Sequence, residues 1–71
     1  MKPYNVENRK TELRAWAYEV KITWNEAPHY KLIRQINDWC IDNRVKNQHN
    51  GSFTWFLKDE SDLMAFKLRW G

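Results

Sequence analysis

Three side chains in this sequence have the chemistry of a metal ligand or a nucleophile–base pair: His29, Cys40 and His49, which are its only histidines and its only cysteine. Metal centres draw such residues from short repeats such as HxxxH or CxxC, where one turn or one loop delivers two ligands at once. Neither spacing occurs here. A nucleophilic Cys40 would need a base beside it and an electropositive setting to form the thiolate. It falls instead on an apolar helical stripe, where a buried structural cysteine is expected. The carboxylates Asp59, Glu60 and Asp62 resemble an acidic metal site, but they open an apolar helix, where the helix dipole favours negative charge. No GxGxxG or phosphate-binding loop is present. The chain is therefore not expected to be an enzyme, and no cofactor is expected.

Binding chemistry is better represented. The chain carries a net charge of +3, and the surplus lies in its first half. Residues 1–35 hold Lys2, Arg9, Lys10, Arg14, Lys21, Lys31 and Arg34 against Glu7, Glu12, Glu19 and Glu26. A basic stretch next to a sheet that displays aromatic rings can hold phosphates and stack bases. On that reading Lys2, Arg9, Lys10, Arg14, Lys21 and Lys58 would contact nucleic acid, with Phe56 as the single outward ring. Stacking platforms generally use more than one ring. Contact with another protein is the competing class, and it is favoured. Its candidate residues are Tyr30, Arg34, Asn37 and Ile41 on one helix face, together with Phe56 on the sheet. Tyr and Arg are residue types enriched at binding hot spots.

The elements that must position these residues follow from periodicity. The seventy-one residues suffice for one domain, expected as a polar N-terminal arm over 1–12 and a single folded unit over 13–71. Five Trp, three Tyr and three Phe supply a core that so short a chain could not otherwise build. Between Arg14 and Trp24, alternation places Trp16, Tyr18, Val20, Ile22 and Trp24 on one face, which predicts a strand. Helical spacing collects Leu32, Ile33, Ile36, Trp39 and Cys40 on one face over about 28–43. The opposite face of that helix carries Tyr30 and Ile41, with Arg34 and Asn37 between them. A polar loop over 44–51 closes on Asn50-Gly51, a turn signal. A second strand over 52–58 then points Phe53, Trp55 and Leu57 inward and Phe56 outward. The last helix, capped by Asp59 or Ser61, buries Leu63 and Phe66 and leaves Met64 and Leu68 aside, while alternation of Phe66, Leu68 and Trp70 keeps an extended ending as the alternative.

These elements predict an α+β domain: a small two-layer β-α-β-α arrangement with a thin sheet packed on two helices. The expected core comprises Trp16, Tyr18, Val20, Ile22, Trp24, Leu32, Ile33, Ile36, Trp39, Phe53, Trp55, Leu57, Leu63 and Phe66. A two-stranded sheet is marginal in water. Either the arm adds a strand or a second copy does, and a symmetric homodimer covering Phe56 is the expected solution. The apolar ending predicts that the C-terminus belongs to the core. A lone cysteine and the lack of a signal-peptide pattern predict a reducing interior. No apolar run approaches the length of a membrane helix, so no membrane partner is expected.

Three segments resemble a group of small proteins of tailed phages, especially phages of marine bacteria. They are Tyr18-Glu-Val-Lys-Ile-Thr-Trp24, Asp38-Trp-Cys40 and the ending Asp62-Leu-Met-Ala-Phe-Lys-Leu-Arg-Trp-Gly71. The group often closes on an aromatic strand and a DAxxFKLRW-like helix, and this chain has Leu63 where that pattern has Ala. The resemblance spans most of residues 14–71 and transfers no functional residues. It implies a phage origin, a host cytoplasm and an accessory role in which a host or phage macromolecule is bound.

Overall fold

A computed structural model describes residues 2–51 and 53–71. Met1 of the expected arm and Ser52 of the expected second strand lie outside the described residues. The order of elements is β1 (Tyr4–Lys10), β2 (Tyr18–Trp24), α1 (Tyr30–Asp42), β3 (Asn47–Asn50), β4 (Thr54–Leu57) and α2 (Glu60–Trp70). The four strands form one antiparallel sheet in the order β1-β2-β4-β3. Both helices pack on one face of it, which makes a two-layer α+β domain. The thin two-stranded sheet of the sequence reading is thus corrected to four strands.

The polar arm supplies β1, which pairs with β2 from Tyr4↔Trp24 to Lys10↔Tyr18. The arm thus adds a strand, one of the two alternatives expected, whereas the expected polar loop over 44–51 contains an unanticipated strand, β3, which forms a hairpin with β4. Gly51 turns that hairpin at φ 69°, in the left-handed region that glycine enters without strain. Each new strand takes an edge position, where a polar sequence suffices because only one side must pair.

Helix α1 stops where the chain closes a Schellman motif. The Val45 amide donates to the Cys40 carbonyl at 2.8 Å and the Arg44 amide to the Ile41 carbonyl at 3.2 Å. Arg44 adopts φ 55° there, and Val45 behind it is buried. Helix α2 begins after Asp59, with Glu60 and Asp62 in its first turn and Lys67 and Arg69 in its last. This charge order matches the dipole, although the Asp59 side chain makes no capping bond.

The core lies between sheet and helices and contains Val20, Ile22, Ile36, Cys40, Val45, Trp55, Leu57, Leu63, Phe66 and Trp70. Tyr18, Trp24, Leu32, Ile33, Trp39 and Phe53 pack against it half-buried. Phe66 on α2 sits edge-on to Trp39 on α1 and tilted against Trp55 on β4, with ring centroids 5.9 and 6.1 Å apart. Two positions depart from the alternation read in the sequence. β2 starts at Tyr18, so Trp16 precedes the strand and is released from its facing rule. Trp16 Nε1 donates to Gln48 Oε1 at 3.0 Å, and Gln48 is the register partner of Phe56. The Ala17 amide holds this segment beside β4 through the Leu57 carbonyl. The Trp16 indole therefore crosses the outer side of β4, and Phe56 is buried, only 8 % exposed. Trp16 covers the outer face rather than joining the inner core.

Candidate interaction surface

Of the five residues expected to contact a protein, three remain available. Tyr30, Arg34 and Ile41 share one exposed face of α1, with Tyr30 67 % and Ile41 74 % exposed. The spacing of the stripe, four residues and then seven, returns to the same side of a helix. Its N-terminal end is supported from beneath, because the Tyr30 ring lies 6.0 Å from that of Phe53. Phe56 leaves the set because Trp16 shields it.

Asn37 leaves it for a different reason. Its Oδ1 accepts a 2.8 Å hydrogen bond from Nε1 of the fully buried Trp55, and its Nδ2 lies 3.4 Å from Nδ1 of His49. A buried indole N–H without an acceptor is costly, so Asn37 is a core-satisfying residue at the flank of the stripe. His49 stacks on Trp55 with centroids 4.7 Å apart and planes 8° from parallel. Its helical angle alone places Asn37 beside the stripe; its bonds to Trp55 and His49 turn it to the sheet.

A second exposed apolar pair sits on α2. Met64 is 62 % and Leu68 90 % exposed, one turn apart, with Ala65 and Lys67 completing a shallow depression. Leu13, in the loop between β1 and β2, is half-exposed and isolated from both.

The basic residues do not gather. Lys2 Nζ donates to the Trp70 carbonyl at 2.8 Å and to the Gly71 carbonyl, and lies over the Tyr4 ring. Arg9 makes a two-pronged pair with Glu19, at 3.2 and 3.1 Å. Lys21 stands opposite Glu7 in the register. Lys10 ends β1, Arg14 lies in the following loop and Lys58 follows β4, all three exposed. The outer-face depression lined by Glu7, Asn8, Arg9, Glu19 and Lys21 alternates in sign. A polyanion would meet carboxylates there as often as cations.

The chemically capable side chains are absorbed by packing. His29 stacks on Trp24 at 5.6 Å, which holds the N-terminal end of α1 against β2. Cys40 is buried, and burial, reinforced by the nearby Asp62 carboxylate, pushes its thiol up to about 11. Such a thiol is almost wholly protonated at neutral pH and a poor nucleophile. Among the described residues no three His, Cys, Asp or Glu side chains are grouped to hold a metal ion. Among them, too, no helix is long and apolar enough to cross a membrane. No family model, curated protein or solved structure matches the chain.

Proposed function

We propose that this protein is a small binding module that recognises another protein through the Tyr30–Arg34–Ile41 stripe of α1. The observation that carries the reading is this stripe itself: two large, mostly exposed apolar side chains flank an arginine on a rigid helix docked by its other face. Preorganised aromatic and arginine side chains lose little entropy on binding, which is why they recur as anchors. Together with the phage-like segments, this supports an accessory protein of a tailed phage that acts in the host cytoplasm and redirects a host process by occupying one of its proteins.

Binding of nucleic acid through Lys2, Arg9, Lys10, Arg14, Lys21 and Lys58 is the weaker reading. Its expected outward ring, Phe56, is buried, Arg9 is engaged by Glu19, and Lys2 by main-chain carbonyls. Affinity capture from host lysate, with and without nuclease, separates the two. One stoichiometric protein should survive nuclease and be lost on the double change Tyr30→Ala, Ile41→Asp. Both positions are exposed, so the fold should be unaffected. Capture of nucleic acid alone, with steep loss between low and physiological salt, would replace this reading with the other.

A further inference from the structure

β1 is an outer strand, and its hydrogen-bonding phase can be read from its ends. The Asn25 amide donates to the Pro3 carbonyl at 3.0 Å, and the Thr11 amide to the Ala17 carbonyl at 2.9 Å. Both pairs continue the β1–β2 register, so the odd-numbered residues of β1 bond to β2. Tyr4, Val6, Asn8 and Lys10 consequently direct their N–H and C=O groups away from β2, toward the open side of the sheet. A strand edge of this length is a template for another strand.

Helix α2 reaches the same edge. Its C-terminal end is tied over β1, because Tyr4 Oη donates to the Trp70 carbonyl at 3.0 Å and Lys2 Nζ to the same oxygen. Leu63, Phe66 and Trp70 face the sheet and α1, and Asp62 is turned to Cys40 of α1. At ~100° per residue, Met64 and Leu68 lie on the side of α2 opposite Leu63, Phe66 and Trp70, turned to solvent, so the open edge is left to main-chain pairing.

We propose that the β1 edge is the docking site for a second copy of the chain. The copies join β1 to β1′ antiparallel about a two-fold axis, so that the sheet continues across the seam. The charge pattern along β1 selects this occupant.

Charge fixes the pairing. Centred on Asn8, the two-fold sets Glu7 opposite Arg9′ and Arg9 opposite Glu7′ on the outer face, and lays the Lys10′ alkyl stem across Val6. Centred on Glu7, it would oppose two carboxylates. Opposite signs two residues apart make this edge complementary to itself.

The surface involves neither Tyr30 nor Ile41, so its test is separate from that of partner recognition. Sedimentation over a concentration series through the micromolar range should show a monomer–dimer equilibrium for the wild type. Glu7→Arg and Arg9→Glu should each be monomeric, since each sets like charges across the seam. Mixed in equal amounts they should pair again, because the mixed dimer restores both opposite-charge contacts. Asn8→Pro removes only an outward N–H and should abolish dimers while the circular dichroism is kept. A wild type that is monomeric throughout overturns the proposal. So do dimers that persist in Asn8→Pro, and so does failure of the two charge variants to re-pair.

Discussion

The two flanks of this domain are closed by different means. On the α1–β3 flank side chains do the work: Asn37 links helix, sheet and edge strand through Trp55 and His49, and Trp16 reaches Gln48 on the other face. β3 is short, and its neighbours fasten it on both faces. The α2–β1 flank relies on main-chain groups: a long ladder to β2, and the Trp70 carbonyl receiving Tyr4 and Lys2. The two buried tryptophans mark the contrast. Trp55 Nε1 has Asn37 as its acceptor, whereas Trp70 Nε1 is buried without one. One flank is thus closed at its edge strand by side chains, and the other is left with an open strand edge. A single small sheet can be finished at one edge and left able to pair at the other.

Phe66→Ala should have the largest effect, because its ring touches Trp39 on α1 and Trp55 beneath it and so spans both halves. A loss of ~3–5 kcal/mol is expected, comparable with the whole stability of a domain this size. Denaturant titration should find it largely unfolded or nearly so. The flanks then separate on Asn37→Ala and Tyr4→Phe. The first strands the Trp55 donor in the core and should cost ~1–3 kcal/mol. The second removes one half-buried bond to a carbonyl that Lys2 still occupies, and should cost about 1 kcal/mol or less. At roughly 4–8 °C per kcal/mol, thermal midpoints resolve the two. Equal losses would erase the distinction between a side-chain closure and a main-chain one.

Alkaline titration gives a smaller and graded effect. The Cys40 thiol goes from 9.0 in the unfolded chain to about 11 when folded, and burial also raises the Tyr4 hydroxyl above 10.0. In each case the folded state retains a proton that the unfolded state has released. The associated stability is complete below pH 9 and falls as pH rises from 9 to about 11, first on the α1 flank through Cys40 and then on the β1 flank through Tyr4. Unfolding free energies across that window should show the decline, and Cys40→Ala should flatten its lower part.

How much was legible in the sequence follows from what each element needs. β2, β4, α1 and α2 carry large apolar residues at a helix or strand period, and their existence was plain. β1 and β3 bury little: Tyr4-Asn-Val-Glu-Asn-Arg-Lys10 offers two half-buried apolar side chains, and Asn47-Gln-His-Asn50 none. Their order comes from backbone pairing with a neighbour, to which hydrophobic periodicity is blind. The Asn50-Gly51 turn was the available clue, since a tight turn before β4 calls for a strand on its other side. The exposed stripe was legible at Tyr30, Arg34 and Ile41, where α1 alone decides orientation. It failed at Asn37 and Phe56, whose surroundings are set by β3 and by Trp16, elements distant in the chain. The Met64–Leu68 pair was legible as lying away from Leu63 and Phe66, and both side chains are exposed.

Cys40 also makes the molecule its own stopwatch. A maleimide or disulfide reagent attacks only a thiolate it can reach, and the folded state offers neither access nor charge. Modification must therefore wait for α1 to lift from the sheet, and under mild conditions its rate counts those openings. Because the sequence has no other cysteine, the count belongs to one place: the seam where α1, α2 and the sheet meet. Whether a partner seated on the outer side of α1 slows that clock or leaves it running would show if recognition stiffens the helix or merely uses it.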